Sequence, residues 1–301
     1  MNRTLQNIVY SPLWLLFHGL ALLPFCALYL ISDLLAFVAR DVVRYRRRMV
    51  DLNLAASFPE MSEAERNKVA RRFYRNFTDV FIETIKLLHV SDKAMKKRMV
   101  FEGKEVIDRH VAEGRSVGLY CSHFCNWEWI TSVTQWTVSG PQVCYSQVYR
   151  PLRNRWFDEF YFGLRKRFGS ESIPKNGVLR ALLACRREGA VFVTGFISDQ
   201  KPSHNDGHHH VPFLSQQTYF ITGTETLLRK MHAAVVYTDI QRVGRGHYRA
   251  RLIPVVDDAA ACEQHEITDR YARLLEATIR RQPESWLWSH NRWRRPKNRQ
   301  L

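Results

Sequence analysis

Three hydrophobic patterns follow one another along the chain. From Ile8 to Ser32 no side chain is formally charged, and Leu, Trp, Phe and Tyr dominate. A bilayer core takes about 20 apolar residues in a helix, so this stretch is long enough to span one. It is too long for an ordinary signal-peptide core, and no small-residue cleavage site follows it. Pro24 interrupts a continuous helix, which leaves three arrangements open: a segment crossing the bilayer, one lying in a single leaflet, or a helical hairpin buried in a core. Membrane anchoring by residues 1–40 is the reading adopted, with residues 41–301 forming the domain behind it.

The second pattern is helical. Ser62 and Glu65 make a capping box, and Val69, Phe73, Phe77, Val80 and Phe81 recur at helical spacing, which predicts an amphipathic helix from Ser62 to about Leu88. The third pattern alternates. Short apolar runs at Ser116–Cys121, Gln142–Val148 and Ala190–Ile197 read as buried strands. Helical stretches are predicted at Asp108–Glu113, Trp127–Trp136, Arg153–Arg167 and Gly177–Arg187. Tyr219–Met231 reads as helix, Ala234–Val243 and Tyr248–Val256 as strands about a glycine turn, and Ile267–Arg281 as a closing helix. Such alternation predicts an α/β fold, a single domain with a mixed β-sheet flanked by helices. Ligand sites in these sheets lie at the carboxyl ends of strands.

Charge and cysteine content narrow the picture. Lys and Arg outnumber Asp and Glu by 45 to 29, a formal net charge of +16. The excess calls for an anionic partner: nucleic acid, lipid headgroups or an acidic protein. Arg40, Arg44, Arg46, Arg47 and Arg48 directly follow the apolar segment, which favours headgroups and a cytoplasmic orientation. The six cysteines form no C-x-x-C pair and no regular framework, a usage expected of reduced thiols in a cytoplasmic compartment.

The sharpest chemical feature is Ser122-His123-Phe124-Cys125-Asn126-Trp127-Glu128, immediately after a predicted strand. A neutral imidazole can take a proton from a hydroxyl, and a carboxylate on its other ring nitrogen fixes the tautomer. On a regular helix, residues five apart lie about 140° from each other and cannot meet. With His123 in the loop and Glu128 on the first helical turn they can, so Glu128 is expected to orient His123. A histidine serving only structure is the bland alternative for H-x-x-x-x-E by itself.

The motifs that accompany it are more specific. Asn53-Leu54 and Phe58-Pro59-Glu60 precede His123, and Val148-Tyr149-Arg150-Pro151-Leu152-Arg153-Asn154, Asp199-Gln200, Val211-Pro212-Phe213 and Pro283-Glu284-Ser285-Trp286-Leu287-Trp288-Ser289-His290 follow it. In order and spacing the chain resembles the late acyltransferases of lipid A biosynthesis over nearly its whole length. That resemblance implies a glycerol-phosphate-acyltransferase-like fold and an enzyme on the cytoplasmic face of the bacterial inner membrane. It implies an acyl thioester donor, acyl carrier protein or coenzyme A, and a membrane-lipid acceptor such as a lipid A precursor. It makes His123 and Glu128 the catalytic pair and places Arg150, Asn154 and Asp199 at the substrate, with no cofactor, no metal and no nucleic acid. The chain departs from the family pattern at Ser285-Trp286, where Gln-Tyr is usual, and at Leu214-Ser215, where Phe-Gly is usual.

Other features have blander readings. His204, His208, His209 and His210 are expected to form a mobile polar loop rather than a zinc site. Cys121 and Cys125 bracket His123, but Cys121 belongs to a buried strand, and a covalent acyl-cysteine is not expected. Trp286, Trp288 and Trp293 with the terminal arginines suit a headgroup zone or single-stranded nucleic acid. A membrane-tethered binding module without enzymatic activity is therefore the competing class, and other bacterial glycolipids or amino-acid-based lipids are the competing acceptors.

Overall fold

A computed structural model of the chain describes residues 3–203 and 206–293. Helices α1 (Arg3–Leu22) and α2 (Phe25–Phe37) form a hairpin that turns at Pro24, and a π-helical turn, Val38–Val42, leads out of it. Then come α3 (Arg47–Ser57), α4 (Glu63–Lys86) and α5 (Asp92–Arg98). The capping box forms as predicted: Ser62 N–H donates to the Glu65 carboxylate, and Glu65 N–H donates to the Ser62 hydroxyl. Phe73 and Val80 of α4 are buried, whereas Phe81 is half exposed.

Seven strands make the main sheet: β1 (Met99–Glu102), β2 (Val117–Cys121), β3 (Val143–Tyr149), β4 (Glu171–Pro174), β5 (Val191–Ile197), β8 (Ala234–Gly244) and β9 (His247–Val256). Their order is β1-β9-β8-β2-β5-β3-β4, with every pairing parallel except β8 with β9. A separate antiparallel hairpin joins β6 (His208–Phe213) to β7 (Gln216–Ile221). Helices α6 (Glu105–Ala112), α7 (Arg155–Lys166), α8 (Val178–Arg187), α9 (Gly223–Lys230) and α10 (Glu266–Arg281) complete the domain. A mixed sheet flanked by helices is the class the alternation predicts.

Of the three N-terminal arrangements, spanning finds no support. Among the described residues no helix is long and apolar enough to cross a membrane. The hairpin is also seated on the domain rather than tethered to it. Phe17, Ala21 and Leu28 are buried. The buried Ser32 hydroxyl donates to Asp79 at 2.6 Å, and Tyr29 Oη donates to Glu83 at 2.9 Å. Arg245, in the β8–β9 turn, reaches both Asp33 of α2 and Asp79 of α4 at 2.8 and 2.7 Å. The outer face is apolar: Val9, Trp14, Leu15, Leu16 and Leu22 on α1 and Leu30, Leu34 and Phe37 on α2 are exposed.

Three smaller expectations also change. Cys144 of β3 and Cys185 of α8 form a disulfide, with Cα atoms 6.5 Å apart, so not all the cysteines are free thiols. They are 41 residues apart, and only the packing of α8 beside the sheet brings them together. Trp127–Gln135 is a 3₁₀ rather than an α-helix. The hydroxyls of Thr131, Ser132 and Thr134 each donate to the carbonyl three residues back, bonds that compete with α-helical geometry. The histidine run belongs to strand β6, where the His209 ring stacks on His265 and pairs with Asp269 at 3.0 Å. His204 lies outside the described residues, and among those described no His, Cys, Asp or Glu cluster is arranged to hold a metal.

Candidate active site

Parallel pairing of β2 with β5 puts Cys121 opposite Ile197. Two residues past each of these strand ends come His123 and Asp199. Register therefore aligns a histidine and a carboxylate that are 76 positions apart in sequence. His123 Nδ1 lies 2.7 Å from Asp199 Oδ1, and His123 backbone N–H donates to Asp199 Oδ2 at 3.0 Å. The Trp286 indole N–H donates to the same Oδ2 at 2.8 Å. Burial works to raise the Asp199 pKa, but the His123 ring, with the His123 backbone and Trp286 N–H donors, outweighs it and holds it below the usual carboxylate range. An ionised carboxylate only accepts hydrogen bonds, so Nδ1 carries the ring proton and the Nε2 lone pair is left as the basic site. The Gln200 amide nitrogen lies 3.2 Å from Nε2.

The carboxylate on the histidine ring is thus Asp199, and the expected Glu128–His123 contact is not made. Glu128 grips Arg165 of α7 in a bidentate pair at 2.7 and 2.8 Å. Glu128 is buried, and the Arg165 guanidinium lies over the rings of Tyr149 and Tyr161. Burial works to lower the Arg165 pKa, yet Glu128 more than compensates and raises it. The loop between His123 and Glu128 is fixed from elsewhere. Asn126 accepts from Trp129 N–H and donates to the buried Glu83 at 2.8 Å. Cys125 N–H donates to Ser285 carbonyl, Leu287 N–H donates to His123 carbonyl, and Phe124 bridges Trp286. The closing block is consequently part of the site: Trp286 and Trp288 are core residues rather than a headgroup-facing tail.

His123, Glu128, Arg150, Asn154, Arg165 and Gln200 line one cavity of about 790 Å³, within the range of small-molecule sites. Its inner wall is apolar, with Leu119, Ile130, Val133 and Val193. Arg150 is exposed at the end of β3. Asn154 caps α7 by accepting from Trp156 and Phe157 N–H, and its amide donates to Tyr10 of α1 at 2.6 Å. The cavity wall is therefore continuous with the N-terminal hairpin. Asp199 lies behind the histidine with both oxygens occupied, and it is not among the residues that line the cavity. Burial pushes the thiols of Cys121 and Cys125 up to about 12, which makes them poor nucleophiles.

Comparison with known proteins decides what kind of site this is. The family model for bacterial lipid A biosynthesis acyltransferases matches residues 3–295. The chain belongs to that family. It is an acyltransferase, which sets aside the non-enzymatic alternative. It is 24% identical over 297 residues to the lipid A biosynthesis palmitoleoyltransferase of Escherichia coli (strain K12), covering 96% of this chain and 94% of that protein. It is 25% identical over 304 residues to the lauroyltransferase of the same strain, covering 95% and 94%. The myristoyltransferase of that strain is 21% identical over 245 residues, covering 80% and 73%. Three acyl groups among these relatives mean that family membership alone does not name the chain transferred here.

Arg165, Gln200 and Trp286 carry contacts that reasoning from sequence did not assign. Gln200 follows Asp199 in the same motif, and Trp286 stands where the family usually has Tyr, so both carried a signal. Arg165 sits in a predicted helix with no mark to separate it from Lys166 and Arg167.

Proposed function

We propose that this acyltransferase moves a fatty acyl group from an acyl thioester to a hydroxyl of a lipid A precursor at the cytoplasmic face of the inner membrane. The observation that carries the reading is the tautomer lock. With Nδ1 held by Asp199, the basic Nε2 of His123 faces a cavity whose inner wall can take a hydrocarbon chain. Nε2 removes the acceptor hydroxyl proton as that oxygen attacks the thioester carbonyl. The tetrahedral intermediate then expels the thiolate, which takes the proton back from His123, leaving an ester and a thiol. Asp199 orients the ring and stabilises the imidazolium. Glu128 and Arg165 set the cavity wall beside the base, and Arg150 offers a guanidinium to the anionic part of a substrate.

The exposed apolar face of the hairpin supports docking in one leaflet, with Arg44 and Arg48 at the headgroups. Because Asn154 joins α1 to the cavity wall, a lipid acceptor enters from the bilayer side. The charge excess suits an anionic donor, a description that fits both acyl carrier protein and coenzyme A. The test is acyl transfer from acyl-acyl carrier protein or acyl-coenzyme A to lipid A precursor in mixed micelles. His123→Ala should lower turnover by about 10²–10⁴-fold in folded protein. Full activity in that variant would end the reading.

A further inference from the structure

We propose that Gln200 is a catalytic residue: its side-chain amide caps the base in the resting enzyme and then donates to the oxyanion of the tetrahedral intermediate. This rests on His123 being the base. The Gln200 amide nitrogen lies 3.2 Å from Nε2. Because Nδ1 carries the ring proton, Nε2 presents a lone pair. The opposite amide orientation would set a carbonyl lone pair against it, so the N–H side must face the ring. The acceptor hydroxyl has to occupy that same position to give up its proton. Its arrival displaces the amide within the cavity that Gln200 lines, beside the reacting carbon, where the carbonyl oxygen gains negative charge.

Four other donors near the base are already engaged. Backbone N–H of His123 donates to Asp199, that of Cys125 to Ser285 carbonyl, and that of Lys201 to His290 Nε2. The Arg165 guanidinium is held by Glu128. Gln200 lines the cavity and stands between two fixed neighbours. Asp199 is clamped by His123 and Trp286, and Lys201 is tied to His290 at 3.4 Å. A donor held this way needs little reorganisation in the transition state, the condition under which one such hydrogen bond is worth about 10²–10³-fold in kcat. The capping role also protects the site: with no acceptor present, the amide excludes water from Nε2 and with it hydrolysis of the thioester.

The experiment is steady-state kinetics of the full chain in mixed micelles, with acyl-acyl carrier protein, acyl-coenzyme A and lipid A precursor as substrates. Gln200→Ala, Gln200→Glu and His123→Ala are compared with wild type. Gln200→Ala is expected to lose about 10²–10³-fold in kcat with little change in either KM or in melting temperature. It should also hydrolyse the thioester faster, relative to transfer, than wild type does. Gln200→Glu sets a carboxylate against Nε2 and favours the imidazolium, so the acidic limb of its pH–rate profile should move to higher pH. A merely structural glutamine would move the melting temperature and not that limb. Near-wild-type kcat in Gln200→Ala, or a loss confined to KM, overturns the proposal while an inactive His123→Ala leaves the base in place. Activity in His123→Ala would instead overturn the base and, with it, this inference.

Discussion

His123 and Asp199 meet at 2.7 Å because each lies two residues beyond a paired position on adjacent parallel strands. The contact is set by the sheet rather than by local chain geometry, and it closes only when β2 and β5 are in register. Asp199→Asn tests its worth. The asparagine amide can present N–H to Nδ1 and force the proton to Nε2, the wrong tautomer for a base. Turnover should fall by about 10⁴-fold, as in comparable histidine–carboxylate pairs, with melting temperature nearly unchanged. The measurement is kcat in folded protein alongside thermal unfolding. Retained turnover would show that the ring is held by something other than Asp199.

Glu128 should behave differently. Its carboxylate holds a guanidinium that has little access to water, so Glu128→Gln leaves a buried charge short of its partner. Breaking such a pair costs about 3–5 kcal/mol, to be read as lowered unfolding free energy in urea. Replacing both members, Glu128→Gln with Arg165→Met, should recover much of that loss. If Glu128→Gln instead lost turnover at full stability, Glu128 would have to act on the substrate or on His123.

The fold class was legible because short apolar runs such as Ser116–Cys121 and Ala190–Ile197 alternate with stretches of helical period such as Ile267–Arg281. Strand β6 was hidden: three consecutive histidines precede its apolar Val211 and Phe213, which a proline separates, a composition that reads as loop. The His123 loop was legible from its position after a strand, but its carboxylate partner was misassigned. Sequence proximity favoured Glu128, while strand pairing, which no local pattern encodes, brings in Asp199. The same reason hid Trp286, whose indole arrives through the bridge between Phe124 and the closing block. The hairpin looked like a free anchor because Tyr29, Ser32 and Asp33 are sparse among apolar residues. Their partners Asp79, Glu83 and Arg245 lie far along the chain.

Removing residues 1–40 should therefore not release a folded domain. It would strip Leu28 and Phe17 from the core and take away the hydrogen bonds from Tyr29 to Glu83 and from Ser32 to Asp79. The expected product is aggregated or unfolded protein. Changing only outward residues, Leu15, Leu16, Leu22 and Leu34 to Gln, should keep the fold and weaken sedimentation with phospholipid vesicles. Folded, monodisperse protein from the truncation would show that the hairpin is an independent tether. Unchanged vesicle binding in the fourfold variant would remove the leaflet-docking role of its outer face.

His290 gives the protein an acid-sensitive stability. Burial lowers its pKa from the ordinary 6.5 to about 4, with Asp199 opposing and the neighbouring His123, Arg292 and Arg46 adding to the fall. Between these two values the unfolded chain binds a proton at this residue and the folded chain does not. Stability rises with pH wherever the unfolded state holds more protons, so the neutral ring's contribution is complete above about pH 6.5 and declines as pH falls toward 4. Below that value both states are protonated and this dependence ends. The local consequence reaches the site, because neutral Nε2 accepts the Lys201 N–H beside Gln200, and a protonated ring cannot. His290→Gln keeps an acceptor and removes the titration. Its melting temperature should match wild type near neutrality and fall less steeply between pH 6.5 and pH 4. Parallel melting curves for the two proteins across that window would show that His290 titrates alike in the folded and unfolded chain.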